Sequence, residues 1–231
     1  MAKKPALKTA RSSFLASIDS AENLFAAASP FIRKTYAGLT QNALHPEQAR
    51  RVVALAFLAA VSAWEEFVEF SFTRYLAGAK SLNGSQPVPR AGFSASVRHS
   101  YELLAGVSAF NPDRQYLNWG VSETLKRAHL YFAGGQPYSG VLGSQQQRLS
   151  DAFIIRHRVA HSSRKARSDF RKVAIQLVAP GASKLRQGYS VGELLISPAV
   201  RGFGSQAKSQ GISIFEEHLK LFRHLGARLV P

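Results

Sequence analysis

Apolar residues recur at intervals of three and four along most of the chain, the spacing of helices with one buried face. The clearest stretch opens at Pro46, with Glu47 beside it, where a first-turn proline and an acidic residue suit a helix start. From there to about Ala77, Val53, Phe57, Val61, Trp64, Val68, Phe72 and Tyr75 form one stripe, which predicts the longest helix. Upstream, Ser12 or Ser13 can cap a helix reaching about Ala28, with Phe14, Ile18, Leu24 and Phe25 on its apolar face. Pro30 interrupts it, and a short second helix is expected after that.

Asn83, Gly84, Ser85, Pro87, Pro89 and Gly92 break every period between Lys80 and Phe93, so an exposed loop is predicted there. Helical spacing returns over Ser94 to Leu104 and over about Ser122 to Phe132. Gly134, Gly135, Pro137 and Gly140 predict a second loop, followed by an amphipathic helix from Gln145 to about Ser163 with Leu149, Phe153 and Val159 inward. Phe170 to Val178 fits helix or strand, because Val173, Ile175 and Leu177 alternate while the flanks favour helix; helix is the preferred reading. Gly188 to Ile196 is expected as a short hairpin or an irregular excursion, and Gly202 to Gly211 as loop. Ile214, Leu219, Leu221, Phe222 and Leu225 mark a last helix. With no internal repeat and no long linker, the expected fold class is all-α: one helical domain over residues 12–231 with extended loops, preceded by a basic flexible tail at residues 1–11.

Composition narrows the partners. A 45% hydrophobic content supports a packed core, and the formal charge of +16, with a pI near 10.6, points to a polyanion. Nucleic acid and anionic membrane compete for that role. The cations are densest between Arg156 and Lys172 and flank no apolar insertion face, which favours nucleic acid; basic surface serving solubility alone stays open. The longest apolar run, Val52 to Trp64, is too short to cross a bilayer and leads into Glu65, Glu66 and Glu69, so no membrane partner is expected. The absence of cysteine excludes disulfides, thiolate zinc sites and cysteine nucleophiles. No secretory signal is recognisable in the first eleven residues, and a cytoplasmic location is expected.

Residues 153–163 read Phe-Ile-Ile-Arg-His-Arg-Val-Ala-His-Ser-Ser, which places His161 five positions after Arg156. About one such Arg-x4-His match is expected by chance in a chain this rich in arginine, so context carries the signal. Helical residues advance by about 100°, which puts His157 and His161 nearly on one face with Arg156 on its flank. An imidazole titrating near neutrality can take or give a proton, and a guanidinium offers two parallel donors to a phosphoryl group. Those abilities suit cleavage of an RNA phosphodiester through its own 2′-hydroxyl, without metal or cofactor. One histidine cannot easily perform both proton transfers, so the second comes from His157 or from a second copy of the chain, which points toward a symmetric dimer. The alternative for His161 is a capping histidine at a helix C-terminus, and for Arg156 and Arg158 an ordinary surface cation.

The run Ile155-Arg156-His157-Arg158-Val159-Ala160-His161 resembles the signature of the HEPN superfamily (higher eukaryotes and prokaryotes nucleotide-binding), in which four to six residues separate Arg and His and a polar residue follows the Arg. Leu58 to Phe67 is similar to the long early helix of a bacterial branch, the RiboL-PSP-HEPN-like proteins. The resemblance implies a helical bundle, homodimerisation through the motif helices and, in many members, metal-independent endoribonuclease activity serving as a toxin or in antiviral defence, with an antitoxin or defence-system protein as a further partner. Carried over by position, Arg156 and His161 would be catalytic, His157 would position the phosphate, and Glu65 or Glu66 would orient the arginine. For those two carboxylates the plain alternative is a solvent-facing helix position.

Arg158 and the cluster Arg164, Lys165, Arg167, Arg171 and Lys172 are candidates for holding the RNA backbone. Tyr131, Phe132 and Tyr138 are expected in the core rather than stacked on bases. Two other functions remain: a catalytically silent RNA-binding or protein-interaction module and, ranked last, a DNA-associated accessory protein, for which no groove-reading motif is recognisable.

Overall fold

The computed structural model describes residues 6–32, 44–203, 207 and 209–231. The fold is all-α, and among the described residues the only β features are two isolated bridges, Pro89 with Phe132 and Pro198 with Ser213. Helix α1 is Leu7–Ala28, followed by a 3-10 turn at Ser29–Phe31 where Pro30 had announced a break; the short helix expected next falls outside the described residues. Then come α2 (Pro46–Leu76), α3 (Val97–Ala105), α4 (Val121–Tyr131), α5 (Tyr138–Leu142), α6 (Gln146–Ala160), α7 (Arg164–Val178), α8 (Val191–Ile196) and α9 (Ile214–Leu229).

Several expectations change in detail. Helix α1 starts at Leu7, not at Ser12 or Ser13, because Leu7 and Ala10 are themselves buried and extend the apolar stripe; residues 7–11 of the expected tail are thus helical. The Gly- and Pro-rich stretch after α4 is not all loop. It folds into a 3-10 turn at Ala133–Gly135 and the short α5, where Tyr138, Val141 and Leu142 are buried. The hairpin expected over Gly188 to Ile196 is instead helix α8. Ser190 accepts a hydrogen bond from the Glu193 amide while the Glu193 carboxylate accepts from the Ser190 amide, a capping box that favours helix over strand. The alternating Val173, Ile175 and Leu177 belong to α7, as preferred.

The chain groups into two compact units. The first comprises residues 1–16, 63–149 and 222–231, and its core is aromatic. Phe14 stacks on Phe67 at 4.6 Å, Trp64 stacks on Phe222 at 5.5 Å, and Phe72 touches Trp119, Phe132 and Tyr138 at 4.8–5.4 Å between centroids. Such pairs contribute about 0.5–1.5 kcal/mol each beyond their buried area. Buried hydroxyls are satisfied: Tyr75 donates to the Leu229 carbonyl at 2.7 Å, and Ser71 and Tyr138 share a hydrogen bond of 2.9 Å. Phe132 and Tyr138 are therefore core residues, and Tyr131 uses its hydroxyl on the Leu103 carbonyl at 2.6 Å.

The second unit comprises residues 17–62 and 150–221. Its centre holds Ile18, Phe57, Ile155, Leu194 and Phe215, with Phe25 stacked on Phe215 at 4.4 Å. The α2 stripe is buried at every position named above, Val53 to Val61 in this unit and Trp64 to Tyr75 in the first. A Cβ on Gly192 would lie 2.3 Å from the Arg50 carbonyl oxygen, so α8 meets the backbone of α2 at a point where only glycine fits.

Candidate functional site

Helix α6 buries Leu149, Ala152 and Ile155 completely and leaves Phe153 and Val159 half-buried, so the inward face extends along the whole helix. Its end is set locally. The His161 amide donates to the His157 carbonyl at 2.9 Å, the chain leaves the helix over residues 161–163, and Ser163 then caps α7 by accepting from the Ala166 amide at 3.1 Å. His161 is thus the first residue beyond α6, as a helix-end histidine would be. Its ring nevertheless points to solvent beside that of His157, with centroids 4.4 Å apart at 47°.

Arg156 is half-buried on the same turn, and Arg158 turns its Nη1 back to donate to the His161 carbonyl at 3.2 Å. The His157 pKa is lowered from the usual imidazole value. Loss of hydration is the main cause, followed by the positive fields of His161 and Arg156, with Lys165 adding and Asp169 opposing. One of two neighbouring imidazoles is accordingly biased toward the neutral, proton-accepting form. Two neighbouring imidazoles flanked by guanidiniums can both accept and donate a proton next to an anion.

On α7 the residues alternate in role with helical period. Ala166, Phe170, Val173, Ala174 and Leu177 are buried, while Arg164, Arg167, Arg171 and Lys172 face outward. Lys165 is set apart from them, because its ammonium pairs with Asp169 at 2.6 Å and its charge is partly spent locally. That pairing also holds the Asp169 carboxyl below its usual pKa.

Three cationic depressions lie nearby; Arg158 and the outward cations of α7 line them, whereas Arg156, His157, His161 and Lys165 line none. One, of about 610 Å³, lies among Arg50, Arg51, Arg158, Arg186 and the α8 start, with Glu47 and Glu193 as its acids. A second, of about 330 Å³, is lined by Arg158, Arg167, Arg171, Arg186 and Tyr189 and contains no carboxylate. The third, of about 740 Å³, is bounded by Arg164, Arg167, Arg171, Lys172 and Lys184, again without an acid. Glu193 organises the first: it caps α8, pairs with Arg50 at 3.7 Å and binds Arg186.

Arg50, Arg51, Lys184, Arg186 and Tyr189 are site residues that the sequence did not single out. Arg186 and Tyr189 sit in a stretch expected to be irregular, and the one available signal was the Ser190-x-x-Glu193 spacing that fixes α8 next to them.

Glu65 and Glu66 lie on α2 in the first unit, Glu65 half-buried and Glu66 exposed, whereas the Arg-His motif belongs to the second. Another carboxylate of α2, Glu69, lies one turn further on. Burial raises its pKa, and Glu66 adds to the rise; the Tyr101 hydroxyl, which donates to it at 2.7 Å, the Trp119 indole and Arg127 work in the opposite direction. The Trp119 indole nitrogen favours that carboxylate electrostatically without reaching hydrogen-bond geometry.

Among the described residues no group of three or more His, Asp or Glu side chains is placed to hold a metal ion, and no helix is long and apolar enough to cross a membrane. No protein-family model, curated protein or solved structure matches the chain.

Proposed function

We propose that this protein is an endoribonuclease that cleaves RNA by attack of the 2′-hydroxyl on the neighbouring phosphorus. The supporting observation is the exposed pair of imidazoles, 4.4 Å apart, at the end of α6 on the same turn as Arg156, joined to the arginine-lined depressions through Arg158, which hydrogen-bonds the His161 carbonyl. In this reading neutral His157 takes the 2′-hydroxyl proton, the 2′-oxygen bonds to phosphorus, and the P–O5′ bond breaks. His161 gives its proton to the departing 5′-oxygen, leaving a 2′,3′-cyclic phosphate and a 5′-hydroxyl. Arg156 stabilises the charge that builds on the phosphoryl oxygens, as a forked donor does better than a point charge. Arg158, Arg164, Arg167, Arg171 and Lys172 hold the backbone on either side, with Lys165 contributing less because of Asp169. The proton exchange needs no metal and no cofactor.

The resemblance to HEPN proteins extends this reading to a homodimer paired through its motif helices and to service as a toxin or defence effector under a partner's control. A second reading, an RNA-binding module without activity, is favoured by one feature: the acid-free depressions on α7 bind a polyanion whether or not the imidazoles act. Purified protein incubated with single-stranded RNA in excess chelator separates the two. Cutting that persists in chelator, disappears with His161→Ala and fails on 2′-deoxy substrate supports the nuclease. Binding without cutting selects the module, and cutting that the chelator stops overturns the mechanism.

A further inference from the structure

The three cationic depressions adjoin one another through shared residues. Arg158, Arg186 and Gly188 line both the first and the second, and Arg167 and Arg171 line both the second and the third. Together they make one trough within the second unit, from the start of α2, past the end of α6, to the outer face of α7. Arg158 is the link to the motif, since it borders the trough and hydrogen-bonds the His161 carbonyl. Arg164, Arg167, Arg171 and Lys184 form no ion pair with a described carboxylate, so this part of the trough keeps its full field for an external anion.

The central depression differs from its neighbours. All three fall in the range of sites that take a small ligand, about 300–1,000 Å³, so its volume of about 330 Å³ does not set it apart and its lining does. It combines four guanidiniums with the half-buried Tyr189 and the buried Phe170. Guanidinium planes and a tyrosine are the groups on which unpaired bases stack, whereas a duplex keeps its bases inside and offers mainly phosphates and sugars.

We propose, building on the RNA-cleaving reading above, that the substrate is a single strand lying along this trough. One unpaired nucleotide sits in the central depression, with its base against Tyr189 and its phosphates on Arg158, Arg167, Arg171 and Arg186. The strand then passes the end of α6, which brings a phosphodiester to the exposed imidazoles. The 179–190 segment, through Lys184, Arg186 and Tyr189, is the second wall of the groove.

The test measures binding without cleavage, by fluorescence anisotropy of a labelled 2′-O-methyl single-stranded 20-mer whose blocked 2′-oxygen prevents attack. Arg167→Gln with Arg171→Gln should weaken binding at least tenfold and lower the slope of log affinity against log salt by about 1.4, from about 0.7 per lost phosphate contact. Tyr189→Leu should cost about tenfold with the slope unchanged, as expected for a stacked base. Lys126→Gln, in the first unit, should bind like wild type. The arginine variants change exposed side chains and should keep the wild-type melting temperature, so a folding defect cannot imitate the result. Unaltered affinity in the trough variants, or binding of an RNA duplex or of phosphatidylglycerol vesicles as tight as that of the single strand, overturns the proposal. If native RNA is cut normally while those variants bind like wild type, the trough is wrong and the nuclease stands. If the 2′-O-methyl strand binds with the expected losses but native RNA is never cut, the nuclease is wrong and the trough stands.

Discussion

In the first unit fourteen Lys and Arg stand against six Asp and Glu, and in the second sixteen against eight, so each unit carries a formal excess of eight cations. The arrangement differs. In the first unit Arg98 and Lys126 pair with Glu102 and Glu123 at 3.5 and 2.7 Å, Arg74 lies 4.7 Å over the Phe70 ring, and Arg127 lies 4.9 Å over Trp119. Glu69, whose pKa burial raises, is drawn toward the core, and seven exposed large apolar side chains, from Leu82 to Leu130, occupy its surface. The second unit has ion pairs too, Arg50 and Arg186 with Glu193 and Lys220 with Glu217, but the outward cations of α7 stand in register along one helix, and among the described residues the carboxylate on that helix, Asp169, is tied to Lys165. Equal net charge therefore says little about where a polyanion binds. Register on a helix, and whether acids sit between the bases, decide it.

Breaking that contrast at the motif should have the largest effect. His161→Ala is expected to lower the RNA-cleavage rate by about 10²–10⁴-fold, the contribution of a positioned acid or base. Because the ring is exposed, stability should change by no more than about 0.5 kcal/mol. Removing the paired Lys126 of the first unit should leave the cleavage rate unchanged. Single-turnover cleavage of labelled RNA, with thermal melts of each variant, checks both.

The scaffold of the trough can be attacked through Gly192. Alanine there sets a Cβ against the Arg50 backbone, so it should destabilise the protein by about 1–3 kcal/mol in urea unfolding and weaken RNA binding as α8 shifts. Gly143→Ala, where a Cβ meets nothing and φ is −55°, should be neutral or stabilising by up to about 1 kcal/mol.

Titration sharpens the comparison further. With His157 shifted downward, the acidic limb of the cleavage rate should have its midpoint below 6.5, since the base stays neutral to lower pH than a free imidazole. A midpoint above 6.5 in the pH profile would remove His157 from the role of base. In the first unit the smallest effect is expected. Glu69 has a raised pKa, so in the window above 4.5 the folded state binds more protons than the unfolded state and stability falls as pH rises. Glu69→Gln, which can still accept from Tyr101, should flatten that decline and raise the melting temperature at pH 7.

How much of this was legible in the sequence follows from the physics of each element. The α2 stripe could be read because all seven apolar positions obey one period and all seven are buried. The α7 helix was harder, since Val173 to Leu177 also alternate; the outward cations at helical spacing resolve it. Helix α8 was missed because Gly188 and a short apolar run imitate a hairpin, and a six-residue helix offers little periodicity beyond its capping box. Of the site, the histidine pair and the α7 cations were visible as local spacings. Arg50, Arg51 and Arg186 were not, because Glu193 gathers Arg50 and Arg186 from segments more than 130 residues apart, and no local pattern encodes that meeting.

The most direct measurement on the central claim, that two imidazoles pass a proton to and from a phosphodiester, is the identity of the new ends. Phosphorus-31 NMR of RNA digested by the wild-type protein should show a 2′,3′-cyclic phosphate resonance, matched by 5′-hydroxyl ends that accept label from a polynucleotide kinase. Products bearing 5′-phosphate, or the same cyclic ends formed at the wild-type rate by His157→Ala and His161→Ala, would contradict it.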